Sequence, residues 1–150
     1  MREVTAGLEF VDDDEYRRRL REDIAGAESS FEDGQFKAST VLAGSVVEAL
    51  VLFQIQRRPN RDVDAAIGEL KLVAKALEER ALGDLLRIAR SLRLFSDEAL
   101  RAAELAKDFR NLIHPGREQR KALTCTRGTA RGALAAMDLL INECMTPRSP

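Results

Sequence analysis

The amino-acid sequence predicts an all-α domain, a helical bundle of about five to six helices built on an antiparallel helical hairpin. Apolar residues recur at spacings of three and four along most of the 150 residues, which is the period of a helix with one buried face. The composition is dominated by Ala, Leu, Arg and Glu and contains no Trp, as is typical of helical proteins. An Asp-Gly turn at 33–34 separates two of the periodic segments, and such short turns join antiparallel helices.

The predicted hairpin consists of residues 14 to about 32 and residues 35–56. Apolar residues of the first segment are spaced by three and four, at Tyr16, Leu20, Ile24, Ala27 and Phe31. The second segment has almost no polar face between 41 and 55, so we expect it to be the buried central helix of the bundle. Pro59 and Asn60 mark its end.

A third and a fourth helix are expected after this hairpin. Asp62 or Asp64 is the expected cap of the third, which runs to about residue 80. Its apolar side is made by Ile67, Leu70, Val73, Ala74 and Leu77. Gly83 is expected to break this helix, and a shorter one follows at 84–94.

The last two helices have clearer boundaries. Ser96, followed by two acidic residues, is a strong start signal for a fifth helix. That helix must stop near His114, because the residue before Pro115 is pushed out of the α region. A final helix is expected from about 118 to 145.

The length of the chain favours one domain over 1–150, with a polar lead-in at 1–13 and a frayed tail at 146–150. The 24 Lys and Arg nearly cancel the 25 Asp and Glu, for a formal charge of −1. The charge is unevenly distributed, since 107–131 holds seven Lys or Arg against two acidic residues. An anionic partner would therefore meet the C-terminal third.

Cysteine usage and hydropathy predict a cytoplasmic protein. Cys125 and Cys144 lack CxxC spacing and are interpreted as reduced thiols. We find neither a signal-peptide pattern nor an uninterrupted apolar run of about 18 residues, so neither secretion nor a membrane span is expected. No metal and no cofactor are expected.

His114 is the only histidine of the chain, and thus the only side chain whose unperturbed pKa suits proton transfer near neutral pH. Arg110 precedes it by four positions, which on a helix places both on one face. RNA cleavage needs a base for the 2′-hydroxyl and a fixed cation for the phosphate charge, and this pair can supply both. Asn111 could bind phosphate or brace the helix. In the structural alternative, Arg110 pairs with an acid and His114 stands at a helix C-terminus.

Glu48 is the second informative residue, because it lies inside the apolar run 46–55. A carboxylate buried there without a partner would cost several kcal/mol. Arg110 is a plausible partner. Two interpretations stay open: Ser45 and Glu48 line the rim of a groove that also holds His114, or Glu48 forms an internal salt bridge that fixes helix packing.

These residues resemble a known family. The hairpin over 27–50, followed by the run Phe109-Arg-Asn-Leu-Ile-His-Pro-Gly116, is similar to the HEPN superfamily (higher eukaryotes and prokaryotes nucleotide-binding), over most of the domain. Many members are metal-independent ribonucleases of toxin–antitoxin, phage-defence or RNA-processing systems. They commonly form dimers in which two copies of an Arg–polar–His motif meet in one groove.

The resemblance implies roles for individual residues. Arg110, Asn111 and His114 match the motif, and Glu48 matches an acidic residue on the second helix of the family. The chain departs from the usual pattern in one respect: three residues separate Arg110 from His114, where the family has four to six. Because one histidine cannot be base and acid at once, activity is expected to require a homodimer.

Basic residues around the motif are expected to contact RNA phosphates. They are Lys107, Arg117, Arg120 and Lys121, and a wider phosphate-tracking surface would add Arg87, Arg90, Arg93, Arg127 and Arg131. Few aromatic residues are available, so backbone contacts are expected rather than base stacking.

The sequence therefore leaves three alternative functions open. The first is a ribonuclease with an antitoxin or nucleotidyltransferase partner. The second is a non-catalytic HEPN module that binds a nucleotide, an RNA or a protein and uses the motif as a dimer brace. The third is a structural helical adaptor.

Overall fold

The computed structural model describes residues 7–111 and 125–146, with Asn111 described by its backbone alone. Within these ranges the protein consists of helices and their connections, and the predicted all-α bundle is confirmed. The six helices are α1 (Asp14–Glu32), α2 (Phe36–Gln56), α3 (Asn60–Glu69), α4 (Leu82–Ser91), α5 (Asp97–Asn111) and α6 (Arg127–Met145). A short 3₁₀ turn, Leu77–Glu79, lies between α3 and α4.

The hairpin of α1 and α2 follows the sequence prediction closely. Asp13 caps α1, because its side chain accepts a hydrogen bond from the Tyr16 backbone N–H at 2.9 Å. Gly34 has a φ of 77°, a conformation that glycine adopts without strain. The chain therefore reverses in a short turn, and α2 packs along α1.

Helix α2 is the centre of the bundle and contacts α1, α4, α5 and α6. Its core side chains are fully buried, among them Val46, Val47, Leu50, Val51 and Ile55. By length and composition alone α2 would also pass for a membrane span, with a mean hydropathy of 1.7, and half of that stretch is buried inside the protein. Burial among four neighbouring helices accounts for this apolarity.

The third helix starts earlier than predicted. Pro59 occupies the N-cap position and α3 begins at Asn60, so neither Asp62 nor Asp64 is the cap. Proline has a fixed φ and no N–H, and therefore suits the start of a helix. Asp62 lies in the first turn instead, where its negative charge interacts favourably with the positive end of the helix dipole.

The third helix also ends well before residue 80, and this prediction was wrong. Lys71 has a φ of 56°, the left-handed conformation that commonly ends a helix. The non-helical stretch beyond it is held by Arg80, which is only 3% exposed. Its Nη2 donates hydrogen bonds to the carbonyl oxygens of Val73, at 2.8 Å, and Lys75, at 3.2 Å. The apolar spacing over 70–77 thus belongs to an irregular segment.

Two smaller predictions are also corrected. Gly83 lies in the first turn of α4 instead of breaking a helix. Within the predicted polar lead-in 1–13, of which the structure describes 7–13, Leu8 and Val11 are buried in the core. Burial of these two apolar side chains is favourable, and the neighbouring Glu9, Asp12 and Asp13 remain exposed.

Helix α5 begins as predicted, and α6 does not. The Ser96 hydroxyl accepts a hydrogen bond from the Ala99 N–H at 3.1 Å, which caps α5. Helix α6 begins at Arg127, not near 118, because Thr126 and Thr129 form a reciprocal capping box. Residues 118–124 of the predicted helix, and 147–150 of the predicted tail, lie outside the described ranges.

Candidate functional site

The C-terminal turn of α5 carries the described part of the predicted motif. Lys107 and Arg110 lie on this turn, and Asn111 is the last residue of the helix. Because α5 packs against α2, α4 and α6, the turn is surrounded by three helices. The position of Arg110 is therefore set by tertiary contacts as well as by its own helix.

Arg110 reaches α2 across a glycine. A Cβ at Gly44 would lie 3.1 Å from Arg110 Cδ and 3.4 Å from its Cβ, so the aliphatic part of the arginine occupies the space that a side chain would need. Gly44 and Glu48 are four positions apart on α2 and share one face. Arg110 thus crosses Gly44 and ends at Glu48.

Glu48 and Arg110 form an ion pair in which Arg110 Nη1 donates to Glu48 Oε2. The pairing that the sequence predicted for Glu48 is confirmed. The side chains of Arg110 and Glu48 are 35% and 32% exposed, so one side of the pair faces solvent. A guanidinium has five N–H donors, and the ion pair leaves donors available to an anion. The same pair also ties α5 to α2.

The end of α5 also contacts two other helices, closely at Gly132 and at ordinary van der Waals distance at Gly83. A Cβ at Gly132 of α6 would lie 2.9 Å from Phe109 Cε2, so the Phe109 ring packs on the α6 backbone. A Cβ at Gly83 of α4 would lie 3.9 Å from Lys107 Cδ. Lys107, Phe109 and Arg110 thus contact three different helices, which restricts the orientation of Arg110.

Lys107 lies one turn before Arg110, as predicted, but its ammonium group is shared with carboxylates. Its Nζ lies 3.0 Å from Glu104 Oε2 and 3.9 Å from Asp108 Oδ1. These contacts offset part of its charge. Among the residues predicted to bind phosphate, Arg117, Arg120 and Lys121 lie outside the described ranges.

The structure brings together two of the four predicted catalytic residues, Arg110 and Glu48. The side chain of Asn111 and the whole of His114 lie outside the described part of the chain. Sequence reasoning did not find Gly44, although it determines how Arg110 reaches Glu48. The sequence does not indicate which side chain will pack over a glycine in an apolar helix.

The thiols and acidic groups of the described residues add no further reactive centre to this turn. Cys125 and Cys144 are not joined by a disulfide, in line with their interpretation as thiols. Burial raises the pKa of the Cys144 thiol to about 11, so it is protonated at neutral pH. Over 7–111 and 125–146, no group of three His, Cys, Asp or Glu side chains is placed to hold a metal ion.

Comparison with known proteins finds no matching family model, no matching curated protein and no matching solved structure. The resemblance to HEPN proteins accordingly rests on the hairpin and on the motif quoted above.

Proposed function

We propose that this protein is a HEPN-type, metal-independent endoribonuclease of a toxin–antitoxin or phage-defence system, with its centre at the end of α5. The observation that carries the proposal is the Arg110 side chain, about one third exposed and paired with Glu48 on the last turn of α5, one residue before Asn111 and four before His114 in the sequence. A cation at a defined position, four residues before the only histidine in the sequence, suits phosphodiester cleavage.

In the proposed reaction the 2′-hydroxyl oxygen of RNA attacks the adjacent phosphorus, and His114 accepts the hydroxyl proton. A new phosphorus–oxygen bond forms and the bond to the 5′-oxygen breaks. His114 of a second copy in a cytoplasmic homodimer donates a proton to this leaving oxygen. The products are a 2′,3′-cyclic phosphate and a 5′-hydroxyl.

Arg110 stabilises the negative charge that builds up on the phosphate oxygens during this reaction. Donors fixed in advance are effective because they need no reorganisation when the charge develops. Glu48 acts as a positioning residue, since its contact is with the guanidinium. Asn111 is proposed to hydrogen-bond the phosphate.

A second candidate function is a non-catalytic HEPN module that binds a nucleotide, an RNA or a protein. It is favoured by the packing of Arg110 over Gly44, because this contact and the ion pair together brace α5 against α2. In that case the motif maintains a dimer, and no RNA is cleaved.

An RNA-cleavage assay in EDTA distinguishes the two functions. The wild type, His114→Ala and Arg18→Ala are incubated with end-labelled single-stranded RNA. Arg18→Ala is the control, because it removes another arginine–carboxylate pair, with Glu22 at 2.6 Å, on a helix outside the proposed RNA-binding surface. We expect cyclic-phosphate products from the wild type and the control but none from His114→Ala.

Cleavage that persists in His114→Ala would overturn the catalytic assignment. The non-catalytic module instead requires that the wild type leaves RNA intact. It further requires that His114→Ala and Arg110→Ala shift the dimer–monomer balance, which analytical ultracentrifugation measures.

A further inference from the structure

Two arginines of α6 lie over one phenylalanine ring at the end of α1. The guanidinium carbons of Arg127 and Arg131 are 5.6 and 5.8 Å from the centroid of Phe31. The ring of Phe36, at the start of α2, is 5.6 Å from that of Phe31. We refer to Phe31, Phe36, Arg127 and Arg131 as the arginine–phenylalanine cluster.

Two features of α6 disfavour the positive charge of this cluster. Arg127 and Arg131 are exposed and one helical turn apart, so their like charges repel. They lie in the first two turns of α6, whose first turn has no acidic residue, and the positive end of the helix dipole disfavours cations there. An anion bound between the two guanidinium groups would relieve both costs.

The contact with Phe31 leaves the arginines able to bind such an anion. A cation–π contact is an attraction between the positive charge and the ring, and a guanidinium with five N–H donors keeps donors for other partners. Those donors match the oxygens of a phosphate, which arginine can bind in a bidentate manner.

The cluster adjoins the candidate site on two helices. Phe109, which precedes Arg110, packs on Gly132, which follows Arg131. On α2, Phe36 precedes Gly44 by eight positions, a distance of about 12 Å along the helix. A nucleic-acid strand that contacts the cluster would therefore reach Arg110 within a few nucleotides.

We infer that the arginine–phenylalanine cluster binds phosphates of single-stranded RNA next to the scissile bond, an inference that rests on the proposed function. The cluster gives the strand a direction, from the α1–α2 turn towards the end of α5. Recognition is through the backbone, so it is independent of base sequence.

Fluorescence anisotropy with a labelled 2′-O-methyl oligonucleotide tests the inference, because this probe lacks the attacking hydroxyl and can be bound without being cleaved. The variants are Arg127→Gln/Arg131→Gln and, as a matched control, Arg18→Gln/Arg19→Gln on the exposed face of α1. Loss of two phosphate contacts should reduce the slope of log K against log salt by about 1.4. The control should keep the wild-type slope.

Two further variants separate the effect of the arginine charge from that of the contact with Phe31. Arg127→Lys/Arg131→Lys should retain most of the slope, because the charge remains. Phe31→Leu should weaken binding at an unchanged slope, because only the support of the guanidinium groups is lost. Circular-dichroism melting shows that each variant is folded.

The outcomes distinguish the inference from the proposed function. An unchanged slope in Arg127→Gln/Arg131→Gln overturns the inference, and the proposed function survives if the wild type still cleaves unmodified RNA. A reduced slope supports the inference even if unmodified RNA stays intact, in which case the proposed function fails. If the wild type neither binds the probe nor cleaves RNA, both are wrong.

Discussion

Arg110 of α5 is paired with Glu48 of α2 although 62 positions separate them in sequence. The stem of Arg110 packs over Gly44 on the way, so three residues hold the two helices together at the point where α5 ends. The next residues of the chain are Asn111 and, three further on, His114. The ion pair thus determines where the proposed motif starts.

The strength of the pair can be measured with a double-mutant cycle. Glu48→Gln, Arg110→Gln and the double variant are unfolded in urea. Because both side chains are about one third exposed, solvent screens the interaction, and we expect a coupling energy of about 0.5 to 1 kcal/mol. A coupling energy of zero would show that the pair does not contribute to stability.

Replacing Gly132 and Gly68 by alanine should change the stability of the protein in opposite directions. A Cβ at Gly132 would meet the Phe109 ring at 2.9 Å, so Gly132→Ala should destabilise the protein by about 1 to 3 kcal/mol. Gly68 on α3 has no such neighbour within 4 Å, and Gly68→Ala should stabilise it by about 0.5 to 1 kcal/mol through helix propensity. Equal shifts in urea midpoints would refute the close packing of α5 on α6.

Arg80 should control access to the segment before α4. Its hydrogen bonds hold the carbonyls of Val73 and Lys75, and Lys71 and Lys75 are exposed. Arg80→Met removes these bonds, so trypsin should cut after Lys71 and Lys75 faster than in the wild type. Arg101→Met, on the exposed face of α5, is the control. Equal cleavage rates in all three proteins would contradict the role of Arg80.

The stability of the protein should fall in alkaline solution because of Cys144. Burial raises the pKa of this thiol from 9.0 to about 11, so the unfolded chain loses the proton at lower pH than the folded protein. The stabilising contribution is complete below pH 9 and is lost as the pH rises towards 11. Relative to Cys144→Ala, the wild type should lose about 2 kcal/mol between pH 8 and pH 10.5. Parallel urea-unfolding profiles of the two proteins would contradict the burial of the thiol.

The hairpin could be predicted from sequence because its signals are local. Asp13 and Tyr16 form the cap of α1 within one turn, and Gly34 adopts the positive φ that its Asp-Gly context indicates. The start of α5 at Ser96 was predictable for the same reason. Each of these features depends on residues within four positions of one another.

The segment after α3 could not be predicted in the same way. Ile67 and Val73 fit a helical period, but Val73 is 77% exposed. The segment is held by the hydrogen bonds of the buried Arg80 and does not form the helix that the period predicts. The carboxylate of Glu48 in an apolar run predicted a cationic partner. The packing of Arg110 over Gly44 was not predictable, because it depends on how α2 and α5, which are distant in sequence, pack together. Contacts of this kind are properties of the packed bundle.

The most direct test of the proposed centre compares Arg110→Gln with Glu48→Gln in RNA cleavage and in urea unfolding, on the same preparations. Both variants break the same ion pair, so they should lose similar stability. If Arg110 acts on the phosphate and Glu48 only positions it, Arg110→Gln should lower the cleavage rate about a hundredfold or more, and Glu48→Gln should lower it by less than about tenfold. Equal losses of cleavage in the two variants, or none in either, would contradict the account.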